Sequence, residues 1–276
     1  MKAAISARYG SPDVLEIREV PTPIPKTREV LVRVHATTVN RTDCGMLRPH
    51  PFFVRFFAGL FRPKIQILGL DFAGTVEAIG AGTTSFDAGD RVFGMSPEAF
   101  GAHAEYLCIP EDGQIAAMPI DLSFEEAVVC EGAWYADTCL TWLGVQPGQK
   151  ILIYGASGAI GVAAVQLAKA YGAEVTAVVG PHHLELAISL GADRVVDYTT
   201  EDFAEIGDKF DAILDAVGKT TFFRCRRLLK PGARFASTDL GPCWQNIPLS
   251  IWFSITGSRR VGIPFPKTRP EFVEAM

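Results

Sequence analysis

The stretch KILIYGASGAIGVAAVQLAKAYG, residues 150–172, decides the fold of the second half of this chain. An apolar run, KILIY, leads into a glycine-rich turn, and an apolar run with helical spacing follows. This order predicts a buried strand, a tight turn and a helix, which together begin a βαβ unit. Gly155 and Gly158 allow the turn and a close approach of backbone N–H groups to a pyrophosphate, while Gly161 allows the helix to pack against the strand. The stretch therefore predicts a dinucleotide-binding turn.

Strand and helix patterns alternate through the rest of the chain. Five further apolar strands are predicted, in the segments EVTAVV (174–179), RVVDY (194–198), DAILDAVG (211–218), ARFAST (233–238) and RRVGI (259–263). Helical patterns such as HLELAISLG and TTFFRCRRLLK separate them. Six strands joined in this way predict a parallel, doubly wound sheet.

The end of the second of these strands predicts which nicotinamide cofactor is used. An acidic side chain there would accept a hydrogen bond from the ribose 2′-hydroxyl and repel a 2′-phosphate. In VTAVVGPHH the strand ends at Gly180, and the first carboxylate is Glu185. His182 and His183 follow the strand and can donate to a phosphate. NADPH is therefore predicted in preference to NADH.

The first half of the chain has a different pattern. EVLVRVHATTV, residues 29–39, alternates with period two, and the proline-dense VPTPIPKTREV before it is typical of an edge or linker. A helical pattern begins near Ser123, which two acidic residues follow. We predict a β-rich domain over residues 1–122 and an α/β domain over residues 123–264.

Composition excludes several classes of protein. The chain has 276 residues, 48% of them hydrophobic, and a net charge of −5, which argues against disorder and against a nucleic-acid partner. Residues 151–168 are apolar, but their glycines indicate a strand and a helix instead of a membrane span. The N-terminus has no apolar core of signal-peptide length, so we expect a cytoplasmic protein without an integral membrane segment. Six cysteines without a C-x-x-C pair predict reduced thiols that are mostly buried.

The phenylalanine-rich segment PFFVRFFAGLFRPK, residues 51–64, leaves two interpretations open. Its phenylalanines fall near helical spacing, so one face could pack on the domain core. The same face could instead form a lid over an apolar substrate or a surface for a membrane or partner.

Several segments together resemble the medium-chain dehydrogenase/reductase superfamily, in its zinc-independent quinone oxidoreductase branch, which includes the zeta-crystallin-like proteins. Besides residues 150–172 they include YGSPDVLEIREVPTPIP (9–25), ILGLDFAGTVEAIGAGT (67–83), FDAGDRVFG (86–94) and LGADRVVDYT (190–199). The resemblance implies a GroES-like β-barrel catalytic domain, a Rossmann domain, and an active site in the cleft between them. It also implies a homodimer.

The resemblance further implies that a catalytic metal is absent. Zinc-dependent members of the family bind the metal through a cysteine, a histidine and a second cysteine. The matching positions here are Asn40, Leu70 and Glu131, or Cys130 in place of Glu131 because the match is loose there. A catalytic zinc ion requires three protein ligands, which this set does not offer. Without a Lewis acid, the expected substrates are small, apolar acceptors that are already electrophilic, namely quinones and α,β-unsaturated carbonyl compounds.

The resemblance also implies the residues of each site. Asn40 and Thr42 are expected to line the cleft, where the Thr42 hydroxyl would orient a carbonyl oxygen. Asp43 is expected to support them, although a turn-capping role is equally open. Tyr135 is expected where relatives place a threonine against the carboxamide. The cofactor-binding candidates are Gly155, Ser157, Gly158, Ala159, Ile160, Gly161, Gly180, His183, Tyr198, Val217, Gly218, Ser237 and Thr238.

Two alternatives to an NADPH-dependent quinone or enone reductase stay open. One is an NADPH-binding sensor without turnover, and the other is a reductase of enoyl thioesters. Relatives continue well beyond the sixth strand, whereas this chain stops at PEFVEAM. We therefore expect residues 265–276 to begin a return to the catalytic domain, the rest of which the chain lacks, through truncation or because it dispenses with it.

Overall fold

The computed structural model describes residues 1–49, 52–258, 260–266 and 272–273. These residues form two compact units, Met1–Glu131 and Gly132–Lys267, and residues 272–273 group with the first unit. The division falls after the predicted boundary at residue 122. One reason is that the Phe124 ring stacks on His35 of the first unit, with 4.4 Å between ring centroids.

The first unit is built on antiparallel strands. Two sheets form, one of two strands and one of five in the order β6-β3-β4-β5-β7. The strands are β1 (Lys2–Ser6), β2 (Leu15–Glu19), β3 (Glu29–Thr37), β4 (Asp71–Ile79), β5 (Arg91–Met95), β6 (Tyr106–Pro110) and β7 (Ile115–Ala117). Helices α1 (Arg41–Leu47), α2 (Arg55–Ala58) and α3 (Phe124–Ala127) complete the unit.

The core of the first unit follows from the alternation in β3. Val30 and Val32 point inward and are fully buried, and they pack with Phe72 and Val76 of β4. Register shifts in the β3–β4 pair, between Leu31 and Val32 among others, bend this part of the sheet. The alternating pattern thus produced the half-buried strand that the sequence predicts.

The second unit contains the predicted parallel sheet. Its strand order is β10-β9-β8-β11-β12-β13, and every pair is parallel. The strands are β8 (Lys150–Tyr154), β9 (Glu174–Val179), β10 (Arg194–Asp197), β11 (Phe210–Asp215), β12 (Leu229–Ser237) and β13 (Val261–Gly262). The helices are α4 (Cys130–Leu143), whose first two residues belong to the first unit, α5 (Ala159–Ala170), α6 (Leu184–Ser189), α7 (Phe222–Cys225) and α8 (Asn246–Ile255).

Strand β8 lies at the centre of this sheet. Ile151, Leu152 and Ile153 are fully buried because apolar clusters cover both faces of the strand. The strand order reverses beside β8, since β9 follows on one side and β11 lies on the other. Ligands of doubly wound sheets bind at the carboxyl ends of the strands next to such a reversal.

Two local predictions differ from the structure. The segment TTFFRCRRLLK contains only one helical turn, α7, because β12 already begins at Leu229. The phenylalanine-rich segment forms a 3-10 turn, Phe52–Val54, and the short α2, instead of one longer helix. Phe52, Phe56 and Phe61 are exposed, so the core-packing alternative does not hold for them. The side chains of Phe53 and Phe57 lie outside what the structure describes.

The cysteines are free, as predicted, but fewer are buried than expected. Cys130, Cys139 and Cys225 are buried, Cys108 is partly buried, and Cys44 and Cys243 are exposed. In the described part of the chain, no helix combines the length and the hydropathy needed to cross a membrane.

Candidate functional site

The glycine-rich turn after β8 leaves no room for a Cβ at Gly155 or Gly161. Gly155 has a φ of +78°, and a Cβ at this position would lie 2.6 Å from Cγ1 of Val217. A Cβ on Gly161 would lie 2.2 Å from the carbonyl oxygen of Gly155. Side chains at either position would displace the turn, so the two glycines are required by its geometry. The turn brings the predicted residues Gly155, Gly161 and Val217 together.

Helix α5 starts directly from this turn. Its N-cap is Gly158, which offers no side-chain hydrogen bond to the first helical turn. Ser157 precedes this cap and is half-buried, while Ala159 and Ile160 are the first two helical residues. The N–H groups of a first helical turn lack partners within the helix, and the helix dipole adds a partial positive charge there. An uncapped start of this kind suits a phosphate group.

The end of β9 brings two further predicted residues together. Gly180 is buried, and the Tyr198 hydroxyl lies 3.0 Å from the position a Cβ on Gly180 would take. The His183 side chain is exposed, and its backbone N–H donates to the Gly180 carbonyl at 3.0 Å. The strand is therefore followed by a small residue that lies beside the Tyr198 phenol, and no carboxylate stands between Gly180 and Glu185 in the sequence.

The loop that follows β11 is held in place by Asp215, the last residue of that strand. One carboxylate oxygen of Asp215 accepts N–H groups from Val217 and Lys219, and the other accepts from Thr220. Burial raises the pKa of Asp215, and these amides oppose that rise. Gly218, within the loop, has a φ of +67°, and a Cβ there would lie 2.4 Å from Cβ of Asp239.

Ser237 and Thr238 follow the same edge of the sheet. Ser237 pairs in register with Asp215 and is fully buried. The Thr238 N–H donates to the Asp215 carbonyl at 3.0 Å. The residues of the second unit thus fit a nicotinamide dinucleotide, because the turn is a cradle that a Cβ at Gly155 or Gly161 would fill and it adjoins an uncapped helix start.

In the first unit, Asn40 and Asp43 hold the start of α1. The Asn40 side chain accepts the Asp43 N–H at 3.0 Å, and the Asp43 carboxylate accepts the Asn40 N–H at 3.1 Å. This is a reciprocal capping box, so Asp43 has the capping role that the sequence left open. Its other oxygen accepts the Gly69 N–H at 2.9 Å, and His103 Nε2 lies 3.8 Å from the oxygen that accepts from Asn40.

Thr42 stands in the first turn of α1 and contacts a buried acid. Its hydroxyl donates to a carboxylate oxygen of Glu131. Glu131 is 7% exposed, and burial raises its pKa, a rise that the Thr42 hydrogen bond opposes. The structure therefore joins a predicted site residue to an acid that the sequence had only matched to a zinc-ligand position.

Asp71 is a second buried acid, and it is not among the site residues predicted from the sequence. It begins β4 and is 2% exposed. One oxygen accepts the Thr38 hydroxyl at 2.8 Å, whereas the other has no hydrogen-bond partner. Burial raises the Asp71 pKa from 3.8 to about 7, with the charges of Glu131 and Asp43 adding to the rise. An aspartate inside the apolar run ILGLDFAG was the sequence signal that could have identified it.

Tyr135 belongs to the second unit. It lies on α4, where its ring meets Trp134 edge-on with 5.8 Å between centroids. Thr42 and Tyr135 therefore stand in different units, and their joint role in one site stays a prediction.

The residues at the expected zinc-ligand positions do not fit a zinc ion. Leu70 is 2% exposed and offers only hydrocarbon, and the Asn40 amide is engaged in the helix cap. The Cys130 thiol donates to the Ala127 carbonyl, and burial raises its pKa well above the ordinary value, which disfavours the thiolate that zinc requires. Among the described residues, no group of three or more His, Cys, Asp and Glu side chains stands close enough to bind a metal.

The fold and the site define a class. A doubly wound sheet with a glycine cradle, preceded by an antiparallel β unit, is the architecture of a two-domain oxidoreductase that uses a nicotinamide cofactor. Residues 26–120 match the family model described as alcohol dehydrogenase GroES-like domain, and residues 159–275 match the one described as zinc-binding dehydrogenase.

Individual relatives agree with this class. The chain is 33% identical over 246 residues to a quinone oxidoreductase of Sus scrofa, with 85% of this chain and 71% of the relative covered. It is 32% identical to an NADPH-dependent alkenal/one oxidoreductase of Arabidopsis thaliana, covering 79% of this chain and 58% of that protein's length. The solved quinone oxidoreductase of Coxiella burnetii superposes with a TM-score of 0.86 at 27% identity, covering 100% of this chain and 86% of that one.

The chain therefore belongs to the medium-chain dehydrogenase/reductase superfamily, in its quinone oxidoreductase branch. The predicted combination of a GroES-like domain with a Rossmann-type sheet is confirmed. The chain is an oxidoreductase of this family, as the sequence predicts.

Proposed function

We propose that this chain reduces quinones or α,β-unsaturated carbonyl compounds with NADPH and without a metal ion. The observation that carries the proposal combines two features of the chain. The glycine-rich turn leaves no room for a Cβ at Gly155 or Gly161, and the positions that hold zinc ligands in other family members are occupied here by an amide, a leucine and an acid. An acceptor that is already electrophilic needs no Lewis acid to take up hydride. The names of the pig and Arabidopsis relatives, which refer to quinones and to alkenals and alkenones, support this substrate class.

The second unit would bind the cofactor, which supplies the hydride when bound. The pyrophosphate would be bound by Gly155, Ser157, Gly158, Ala159, Ile160 and Gly161. The adenosine 2′-phosphate would be bound by Gly180, His183 and Tyr198, and the other parts of the cofactor by Val217, Gly218, Ser237 and Thr238. The absence of a carboxylate at Gly180 supports NADPH over NADH, since no negative charge opposes a 2′-phosphate there.

The substrate side would use residues that α1 and α4 position. The Thr42 hydroxyl would orient the carbonyl oxygen of the acceptor, with Asn40 and Tyr135 beside it. The capping box between Asn40 and Asp43 fixes the first turn of α1, and thereby the backbone of Thr42. Asp43 would act by holding that turn.

Steady-state oxidation of NADPH tests the proposal. Purified protein, treated with a chelator, is given either an ortho-quinone or a simple enone, with NADH as the alternative cofactor. We expect acceptor-dependent loss of NADPH that the chelator leaves unchanged, and a much slower rate with NADH. Tight NADPH binding without turnover of either acceptor would favour the sensor alternative, and activity lost to the chelator would contradict a metal-free reaction.

A pair of glycine variants tests the cofactor site. Gly161→Ala places a methyl group 2.2 Å from the Gly155 carbonyl, whereas Gly207→Ala meets no atom within 4 Å. We expect the first variant to weaken NADPH binding at least tenfold and the second to leave it unchanged, as measured by fluorescence titration. Equal binding in both variants would argue against the cradle.

We also infer a cytoplasmic homodimer. Helix α8 presents Ile251, Trp252 and Ile255 to solvent, and an exposed apolar face of this kind supports self-association. Analytical ultracentrifugation tests the dimer, with a monomer at all concentrations as the contradicting result.

A further inference from the structure

Three acids of the first unit are buried close to one another. Asp43, Asp71 and Glu131 are 3%, 2% and 7% exposed. The charges of Asp43 and Glu131 add to the rise of the Asp71 pKa, and the charge of Asp43 adds to the rise of the Glu131 pKa. Among the described residues, no lysine or arginine forms an ion pair with these acids, and the basic side chain beside them is His103, whose Nε2 stands 3.8 Å from Asp43. Buried carboxylates that lack matching cations cannot all be ionised, because each added charge costs several kcal/mol. The group therefore retains a proton at neutral pH.

The hydrogen bonds indicate where this proton resides. Asp43 accepts two backbone N–H groups, from Asn40 and Gly69, so both of its oxygens have a donor. Asp71 has one oxygen without a partner, and Glu131 receives a single hydroxyl. An anionic oxygen that is buried without a partner is expensive, so the proton belongs to Asp71 and Glu131, which we call the carboxyl pair.

Thr42 links the carboxyl pair to the proposed substrate position. A hydroxyl donates one hydrogen bond and accepts others, so it can accept a proton from an acid while giving its own to a second partner. In the structure the Thr42 hydroxyl donates to Glu131. When Glu131 carries a proton, the same contact can form with Glu131 as the donor, which leaves the Thr42 proton for the acceptor oxygen that the proposed function places against this hydroxyl.

We propose that the carboxyl pair stores the proton that the acceptor needs after hydride addition, and that Thr42 passes it on. This role rests on the proposed function. Hydride from the reduced nicotinamide adds to the acceptor carbon, which becomes reduced, and the displaced π electrons move to the acceptor oxygen. That oxygen takes the Thr42 proton, the Thr42 oxygen takes the proton of Glu131, and the carboxylate that remains recovers a proton from solvent. Asp71 and Glu131 act through Thr42 and are therefore positioning residues.

The surroundings of Asp71 set the expected pH dependence. The titratable groups that face it are Glu131, Asp43 and Cys130, and the raised pKa of Cys130 keeps that thiol neutral. Burial raises the Asp71 pKa to about 7 and raises the Glu131 pKa above its ordinary 4.5, so the two carboxyl groups lose their protons as the pH rises towards and through neutrality. Hydride transfer that depends on this proton should slow down above that pH.

The test compares rate–pH profiles of the full chain with NADPH and an enone. The variants are Glu131→Gln, Asp71→Asn and Thr42→Val, and the control is Glu77→Gln, an exposed acid on the same strand as Asp71. We expect kcat of the wild type and of the control to fall about tenfold per pH unit above neutrality. Glu131→Gln and Thr42→Val should be slower by roughly 10²-fold with a flat profile, since general acid catalysis contributes about that much.

Infrared titration without substrate provides a second measurement. The band of a protonated carboxyl group, seen in the wild type at mildly acidic pH, should weaken in Asp71→Asn and persist in Glu77→Gln. An unchanged rate–pH profile in Glu131→Gln, or an unchanged band in Asp71→Asn, would overturn this role alone. A wild-type protein that reduces neither acceptor would overturn the proposed function and this role with it.

Discussion

Glu111 and Asp71 are buried acids of the same unit, and their pKa values are shifted in opposite directions. Glu111 is 6% exposed, and its carboxylate accepts the N–H groups of Thr84 and Ser85, at 2.7 and 2.9 Å, and the Arg28 guanidinium at 2.9 Å. These bonds, led by the Thr84 amide, lower its pKa to about 2. Asp71 is 2% exposed, and its carboxyl group has one hydroxyl donor and one oxygen without a partner. Burial is the largest cause that raises its pKa to about 7. Partners, and not burial alone, decide which acid stays charged.

Asp71→Asn is expected to produce the largest effect, a change in how stability depends on pH. The folded pKa of Asp71 lies above its ordinary 3.8, so its contribution to stability is fully present below about pH 4 and is lost as the pH rises to about 7. A difference of about three pKa units corresponds to roughly 4 kcal/mol. Relative to the variant, the wild type should lose that much unfolding free energy between those limits in urea titrations. Parallel curves for the two proteins would contradict the raised pKa.

Glu111→Gln is expected to change the pH dependence of stability in the opposite direction to Asp71→Asn. The folded pKa of Glu111 is lowered, so its contribution is present above the ordinary 4.5 and is lost as the pH falls towards about 2. The amide of glutamine lacks the charge that the Thr84 and Ser85 N–H groups bind. The variant should therefore unfold more easily than the wild type at neutral pH, with the difference shrinking in acid. Thermal unfolding at several pH values measures this, and a difference that grows in acid would contradict it.

More of the fold than of the candidate site could be predicted from the sequence. Strand β8, the turn and α5 appear where residues 150–172 predict them, and Ser123 caps α3 with Glu126 as its local pattern indicates. These features depend on neighbours in sequence. Thr42 and Glu131 are 89 residues apart, and no local pattern relates them. The periodicity of apolar residues predicts which face of a helix or strand a residue occupies. It does not predict which distant side chain the residue contacts there.

Thr38→Val is expected to have a smaller effect, which is a further rise in the Asp71 pKa. The Thr38 hydroxyl is the side-chain donor to Asp71 and opposes the rise of the Asp71 pKa. A hydrogen bond of this kind is worth about 1 kcal/mol, so its removal should raise the Asp71 pKa by less than about one further unit. The pH at which the stability of the variant stops falling should shift upward accordingly. A downward shift would mean that the hydroxyl does not favour the charged form.

Glu77→Gln should show the smallest effect. Glu77 lies on β4 with Asp71, but its side chain is exposed. Substitutions at such positions usually change stability by no more than about 0.5 kcal/mol. The variant should follow the wild-type stability curve at each pH, and a curve that resembled that of Asp71→Asn would show that the pH dependence does not come from the buried acid.

The protonation of Asp71 is measured most directly by counting protons released on unfolding. At about pH 5.5, a folded chain that holds a proton on Asp71 must release it when the unfolded carboxyl ionises. The wild type should release close to one proton more than Asp71→Asn when both are unfolded in weakly buffered urea. Equal release from the two proteins would contradict a protonated Asp71, and with it the proton that the carboxyl pair is proposed to hold on this residue.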